Sequence, residues 1–348
     1  MLPISAAIRE ARKPRDSNPL DIDNGYRKDD RYFATSFATL IEKALGPAPR
    51  PPGINRVRLH DDESVKTIAG SLDFRRVDAP RHILDIHGDL RVESGATIAK
   101  EVLVGGSATI GEGVRLRALK ASGDINLGPG VDIERWIDTS MRLVVGDGCR
   151  LGARATAGND IILGAGVEFH LMSAPRIVVG SEESQSKKRR TAQSRPIAEF
   201  GDPKRCRLRA DGALLTDDDF TIPDDASAAG DVIARGNIRV GRQATIRGSL
   251  HGEADVVIGE RATIKGSVYA EHSLHLAENA VISEHALTAG SAVIGSGARV
   301  GSPGRITTLL ADRSVELNPG AVLYGRVVSA HGGITRAAEN TSVNLVAN

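Results

Sequence analysis

The stretch DVVIGERATIKGSVYAE, residues 255–271, places apolar or small residues in pairs two positions apart and repeats the pair at a spacing of six. The pairs are Val256 with Ile258, Ala262 with Ile264, and Val268 with Ala270. A spacing of two puts both members of a pair on one face of a β-strand, whereas an α-helix requires apolar residues three and four apart. The pattern regains its starting phase at Leu274, which takes the position of Val256 in the next repeat. The stretch therefore predicts three short strands that together form one coil of a β-solenoid.

The same period extends over two long parts of the chain. In the carboxyl-terminal run, the first inward position of each coil falls at Phe220, Ile238, Val256, Leu274, Ala292 and, after an insertion that lengthens one coil, Val315. In the amino-terminal run it falls at Leu72, Leu90, Ala108, Ile125, Leu143, Ile161 and Ile177, with spacings of 16 to 18. Repeats of this kind bury their apolar edges against their neighbours. We therefore predict an all-β protein with two β-helical runs, over residues 72–180 and 206–332.

The composition fits a narrow solenoid core and argues against nucleic-acid binding. The 348 residues include 38 glycines but only 3% aromatic residues. Corner glycines are expected to supply the positive φ angles of tight turns, with Gly241, Gly259, Gly266 and Gly295 as examples. Binding of nucleic acid relies on aromatic stacking and on a basic field, and the net charge here is only +1. We therefore expect no nucleic-acid partner.

Cysteine usage and hydropathy indicate the compartment. The two cysteines are too few for a disulfide framework or a zinc knuckle. Cys149 takes an inward position, which favours a core residue over a reactive thiol. No early apolar run resembles a signal peptide, and none approaches the ~20 apolar residues of a membrane span. We expect a cytoplasmic protein, with the inner face of the membrane as a possible location.

The segments before the first run differ in character. Residues 1–30 are polar and rich in turn residues, which predicts a disordered tail. In residues 31–45, Phe33, Phe37, Ile41 and Leu45 recur at a spacing of four, which predicts an amphipathic helix that stops at Gly46. Such a helix either packs over the end or the side of the first run, or docks on a membrane or a partner. Residues 46–71 are expected to form a proline-rich linker with a strand.

Two further segments lack the repeat. Residues 181–205, between the runs, are expected to form a basic flexible linker. Lys187, Lys188, Arg189 and Arg190 within it are candidates for contact with a partner or an anionic membrane surface, although four charges without a second anchor bind weakly. Residues 333–348 are expected to be a polar tail.

The histidines decide whether an enzyme is expected, because solenoids with this period include acyltransferases that use a histidine base and carbonic anhydrases that bind zinc through three histidines. His251 and His275 fall on outward positions of different faces, and His272 falls at a corner. The register brings no three histidines together between neighbouring coils. The glycine-rich turns also lack the phosphate-loop pattern G-x-x-x-x-G-K-[ST]. We expect no catalytic residue, no metal and no cofactor.

The second run resembles the bactofilins, which are polymer-forming cytoskeletal proteins of bacteria. Their phrase G-x-Φ-x-Φ-G-x-x-A-x-Φ-x-G-x-Φ matches residues 236–250, and the resemblance is close over 220–330 and looser over 72–180. It implies a right-handed, three-sided β-helix whose monomers join end to end into filaments without nucleotide. It also implies a scaffold for cell-envelope proteins at the inner membrane.

The chain departs from the bactofilin pattern, in which two tails flank a single solenoid, and the sequence leaves open whether the two runs are collinear or side by side. The last coil carries apolar residues at both inward and outward positions. We expect these residues to form a self-association surface: Val322, Leu323, Tyr324 and Val328. The sequence thus indicates a self-associating scaffold that is not an enzyme. The alternatives are a hexapeptide-repeat acyltransferase or an inactive relative, and a monomeric β-helical adaptor.

Overall fold

The computed structural model describes residues 29–46, 56–60, 63–75, 81–180, 194–202 and 204–338. The described residues form one α-helix, α1 (Tyr32–Leu45), one 3₁₀ turn (Ile197–Phe200) and a long series of short strands. The strands are β1 Arg56–His60, β2 Glu63–Ile68, β3 Leu72–Phe74, β4 Ile83–Ile86, β5 Leu90–Val92, β6 Thr97–Val104, β7 Ala108–Ile110, β8 Arg115–Ala121, β9 Ile125–Leu127, β10 Asp132–Thr139, β11 Leu143–Val145, β12 Arg154–Ala157, β13 Asp160–Leu163, β14 Glu168–Val179, β15 Arg195–Pro196, β16 Cys206–Leu208, β17 Leu214–Thr216, β18 Phe220–Ile222, β19 Ser227–Ala229, β20 Val232–Ala234, β21 Ile238–Val240, β22 Thr245–Arg247, β23 Leu250–Gly252, β24 Val256–Ile258, β25 Thr263–Ile264, β26 Val268–Ala270, β27 Ser273–Leu276, β28 Val281–Ile282, β29 Ala286–Thr288, β30 Ser291–Ile294, β31 Arg299–Val300, β32 Thr307–Ala311, β33 Val315–Leu317 and β34 Val322–Thr335.

Parallel strand pairing between neighbouring coils confirms the solenoid. In the second run, β24 pairs with β27 so that Val256 lies beside Leu274. On the next face Ile264 lies beside Ile282, which is again one full repeat further along the chain. The inward residues of all three faces form one continuous buried core, and the whole solenoid has about 14 turns. The expected all-β architecture with a single amino-terminal helix is confirmed.

Several segment boundaries differ from those expected. The first run begins at β2, within the expected 46–71 linker, because β2 already pairs in parallel with β4. In the expected 181–205 linker, β15 pairs with β19, and Ile197 of the 3₁₀ turn is buried against the core of the second run. The second run extends past residue 332 to Thr335. The tails and linker expected over 1–28, 181–193 and 339–348 lie outside the described residues.

The corner glycines are needed for a different reason from the one expected. Gly259 and Gly295 do not have positive φ angles; instead, each passes so close to the preceding coil that a Cβ would meet a backbone oxygen. A Cβ on Gly259 would lie 2.7 Å from the carbonyl oxygen of Val240. The positive φ angle falls two positions later, at Arg261 (φ 55°) and Gly297 (φ 65°). Close stacking of the coils, rather than backbone handedness, therefore requires glycine at these corners.

Among the described residues, the buried aromatic residues of the core lie at the ends of the two runs. Phe74 belongs to the outermost coil of the first run, Phe220 to that of the second, and Phe169 to the coil where the runs meet. In the part of the chain that the structure describes, the inward positions of the inner coils carry mostly aliphatic side chains. The three rings lie in coils that have a neighbour of their own run on one side only.

Replacement of Ile264 by Asp should unfold the second run. Ile264 is fully buried between Ile246 and Ile282, and an unpaired buried carboxylate costs about 3 kcal/mol or more. Thermal melts followed by circular dichroism should show a large loss of stability. His275→Asp, at an exposed outward position, is the matched control and should melt with the parent. Equal melting of all three proteins would contradict the inward register.

Corner carboxylates predict an acid-sensitive fold. Asp219 accepts a hydrogen bond from the backbone N–H of Asn237 at 2.8 Å, and Asp224 accepts one from that of Arg242 at 2.7 Å. These bonds lower the pKa of both carboxyls. A lowered pKa in the folded state adds stability above the ordinary carboxyl pKa of about 4, and this stability is lost as the pH falls through the lowered pKa.

Melting temperatures measured from neutral pH down into the acid range should therefore fall. Asp219→Asn with Asp224→Asn keeps an acceptor oxygen at each position but removes the titration, so the fall should be smaller in this variant. An identical acid dependence in the two proteins would contradict the assignment.

Candidate functional site

The two solenoid runs meet at their carboxyl-terminal coils. These coils are the two longest strands, β14 and β34, and each continues around all three faces. They pair in antiparallel orientation, with Ile177 beside Leu323, Met172 beside Val327 and Phe169 beside Gly333. The runs are therefore collinear and joined tail to tail within one chain. We call this contact the joint.

Backbone and side-chain bonds close the joint on more than one face. On one face, the N–H of Gly320 donates to the carbonyl oxygen of Val179 at 2.7 Å, and the N–H of Val179 donates to that of Ala321 at 3.1 Å. On another, the Thr335 hydroxyl donates to the carbonyl oxygen of Gly164 at 2.7 Å and accepts from the N–H of Val167 at 2.9 Å. The strand edges that a terminal coil normally leaves unpaired are therefore satisfied here.

Gly333 fits the joint because of a close approach rather than a turn. A Cβ at this position would lie inside the ring of Phe169, which belongs to the opposing run. A side chain at position 333 would therefore force the buried ring of Phe169 to move. Sequence periodicity does not reveal this constraint, because Phe169 and Gly333 are far apart in the chain.

The joint corrects the expectation of a free self-association surface at the last coil. Val322 is fully buried and pairs with Val178, while Leu323 pairs with Ile177 and Val328 with Leu171. Tyr324, on the same strand, is half-buried. The apolar residues of this coil therefore pack against the first run of the same chain.

Helix α1 lies along the side of the first run. The inner face of the helix packs on a line of outward side chains. Each side chain of this line comes from the next coil, and all of them lie on the same solenoid face. We call this line the outward column; in the first run it consists of Val65, Ile83, Glu101, Ala118 and Trp136. Ile41 is 1% exposed against Val65 and Ile83, and Ala34 packs on Ala118 and Trp136. The helix therefore runs from the joint toward the outer end of the first run.

The four helix residues proposed for membrane or partner contact have different environments. Phe37 packs against Trp136 with ring centroids 5.8 Å apart, and Ile41 and Leu45 pack on the same solenoid face. Phe33 is 43% exposed and lies over the guanidinium of Arg154 at 4.9 Å. Of the alternatives for this helix, packing along the side of the solenoid is thus the one observed. This packing covers most of the helix surface that was proposed for docking on a membrane or a partner. Lys187, Lys188, Arg189 and Arg190 lie outside the described residues.

A buried carboxylate attaches the beginning of α1 to the solenoid. Asp138 is 1% exposed and accepts hydrogen bonds from Arg31 Nε at 2.7 Å, Lys120 Nζ at 2.6 Å and the Thr156 hydroxyl at 2.6 Å. Because two cations and a hydroxyl surround it, the carboxylate is paired and satisfied. The cluster therefore joins the residue before α1 to neighbouring coils of the first run.

The residues just before α1 also contact both runs. The carboxylate of Asp30 forms an ion pair with Arg326 of β34 at 3.1 Å, and the carbonyl oxygen of Asp29 accepts a bond from Arg154 of β12 at 3.2 Å. The helix therefore begins at the joint and is held there by residues of both solenoids.

The polar groups near the joint include histidines from both runs. An open groove on one side contains His170 and His331, one from each run, together with Glu316. The hydrogen bond from Arg336 lowers the pKa of Glu316, which indicates a structural ion pair. Among residues 29–338, with their gaps, no group of three histidine, cysteine, aspartate or glutamate side chains is arranged to hold a metal. The absence of bound metal and of catalysis remains a prediction.

The remaining candidates behave as core or surface residues. Cys149 is fully buried, its thiol donates to the carbonyl oxygen of Gly128 at 3.2 Å, and burial raises the pKa of the thiol. His251 and His275 are exposed, as the register predicts. In the part of the chain that the structure describes, no helix is long and apolar enough to cross a bilayer.

Comparison with protein families, with curated proteins and with solved structures finds no match to this chain. The resemblance to the bactofilins therefore remains an interpretation of the repeat itself.

Replacement of Val327 by Asp should open the joint. Val327 is fully buried opposite Met172, so the new carboxylate would lie unpaired between the two cores at a cost of about 3 kcal/mol or more. Hydrogen exchange at the amides of Val179 and Gly320, which bond across the joint, should accelerate. Ala330→Asp, at an exposed position of the same strand, is the control and should leave both amides protected. Unchanged exchange in the Val327 variant would contradict the joint.

Proposed function

We propose that this protein is a non-catalytic β-solenoid scaffold of the bactofilin type, in which a single chain makes an end-on contact of the kind that joins separate monomers in such polymers. The observation that supports this proposal is the antiparallel joint between β14 and β34. Burying two terminal coils against each other removes both unpaired edges and needs no nucleotide. The product is a rigid rod about 67 Å long, from about 14 coils stacked at ~4.8 Å.

Capping of the outer ends favours a discrete rod over a filament. At the outer end of the first run, β1 pairs antiparallel with β2, and at that of the second, β16 pairs antiparallel with β17. Terminal repeats with such caps limit further stacking. The rod's function in this proposal is to present binding surfaces along its length to partners, for which the resemblance suggests cell-envelope proteins at the inner face of the membrane.

A self-associating filament is the second candidate, and one observation favours it. Among the described residues, β3 pairs only with β5, and β18 pairs only with β21. Each outer coil therefore keeps one strand edge available for pairing with another chain. In a filament of this kind, chains would associate through these outer ends rather than through the last coil.

Sedimentation velocity and negative-stain microscopy of the purified full chain distinguish the two candidates. The discrete scaffold predicts one species of monomer mass and elongated particles that each have the length of a single rod. Strings whose length increases in steps of one rod, with sedimentation that depends on concentration, would instead support the filament. Compact particles without an elongated axis would contradict both.

A further inference from the structure

The second run carries a line of large apolar side chains on its outside. They occupy the central outward position of successive strands on one face, and the strand register places each beside the next. We call this line the apolar stripe; it consists of Leu215, Ile233, His251, Tyr269, Leu287, Leu310 and Val328. His251, the one polar member, stacks on the ring of Tyr269 with centroids 4.6 Å apart. His251 is exposed and the others are half-buried.

The neighbouring face shows that this pattern is not general. Its central outward positions alternate between charged, polar and apolar residues: Thr221, Arg239, Val257, His275, Val293 and Glu316. Scattered apolar residues such as these are normal on a protein surface, whereas a contiguous apolar line marks an interaction site. On the third face the outward residues are Thr245, Thr263, Val281 and Arg299, so the stripe is a feature of one face only.

The stripe continues the outward column on which α1 packs. Across the joint, Val328 lies beside Leu171, which directly precedes Met172. Met172 pairs with Ala155. Arg154, which directly precedes Ala155, pairs with Trp136 of the outward column. One half of this line is covered by an amphipathic helix. The other half has no α-helix over it among the residues that the structure describes.

The dimensions of the two halves match helices. The covered part of the column spans five coils, or about 19 Å, and α1 has 14 residues, or about 21 Å. The stripe spans seven coils, or about 29 Å, which corresponds to a helix of about 19 residues.

The charge beside the stripe defines the chemistry of its partner. At one edge of the stripe, each strand is followed by a residue at the corner of the coil. These corner residues, of which four are acidic and one is basic, are Asp217, Arg235, Glu253, Glu271, Ala289 and Asp312. Arg235 and Asp217 offset each other in an ion pair at 3.2 Å, which leaves Glu253, Glu271 and Asp312 as the charge of this edge. This acidic edge would repel an anionic lipid surface and attract Lys or Arg side chains.

We propose that the apolar stripe is the docking site for an amphipathic α-helix of a partner protein, with Lys or Arg residues beside the apolar edge of that helix. The internal precedent is α1, which occupies the same line of side chains in the first run. The inference extends the scaffold function proposed above, because it names the class of partner. It is tested by peptide binding, whereas the scaffold is tested by particle length, so the two can fail separately.

The probe is a fluorescein-labelled synthetic helix that matches the length of the stripe, with leucines three and four apart on one face and lysines beside them. Fluorescence anisotropy should show saturable binding to the full chain. Leu287→Ser with Tyr269→Ser should weaken binding at least tenfold. Val257→Ser with Val293→Ser, on the neighbouring face, is the matched control and should bind as the parent does. Circular dichroism and melting temperatures establish that both variants are folded.

A charge exchange tests the acidic edge. Glu253→Lys with Glu271→Lys should weaken binding of the lysine peptide at least tenfold and strengthen binding of a matched peptide with glutamates in place of its lysines. Equal binding of both peptides to all proteins, or no binding to any folded protein, would overturn the proposal.

Two further outcomes would assign the stripe to a different occupant and also overturn the proposal. A dimer of the full chain that dissociates in Leu287→Ser with Tyr269→Ser, but not in the control, would identify a second copy. If the peptide binds only when Ile4→Ser with Ile8→Ser is present, the chain's own amino-terminal residues would be the occupant of the stripe.

Discussion

Every coil of this protein depends on hydrogen bonds to the coil beside it. A β-strand in a solenoid leaves one backbone edge unpaired unless another coil follows, so a terminal coil exposes both polar edges and an apolar interior. Two solenoid runs have four such ends. The chain satisfies two of them against each other at the joint of β14 and β34, and it covers the others in part with antiparallel strands. The collinear rod follows from this requirement.

The joint also explains the position of the helix. Residues just before α1 contact both runs, through the pair of Asp30 with Arg326 and the bond from Arg154 to Asp29. From there the helix follows the outward column of the first run, where apolar side chains replace the polar ones expected at a solvated face. In the second run the same line of positions is again apolar. One physical rule, that an apolar outward line needs a cover, thus links the observed helix to the proposed partner.

The chemistry of the described residues fits a structural role. The most deeply buried carboxylate, Asp138, is held by two cations and a hydroxyl, and the buried thiol of Cys149 has a raised pKa caused by burial. Functional sites usually combine perturbed groups with a cleft in which they are free to react. Here most of the perturbed groups are bonded to a neighbouring coil, as with Asp219 and Asn237. The bonds stabilise stacking, in keeping with the proposal that partners bind to the outside of the rod.

The sequence by itself determined the solenoid, because inward residues one repeat apart, such as Val256 and Leu274, are a local and periodic signal. It also predicted α1, since Phe33, Phe37, Ile41 and Leu45 follow helical spacing. Only the tertiary structure decided that the last coil pairs within the chain and that α1 lies on the side of the first run. Those contacts join residues that are far apart in the chain and share no period, as with Phe169 and Gly333 or Arg31 and Asp138. An apolar edge in a sequence shows that a partner is needed, but the fold decides which surface supplies it.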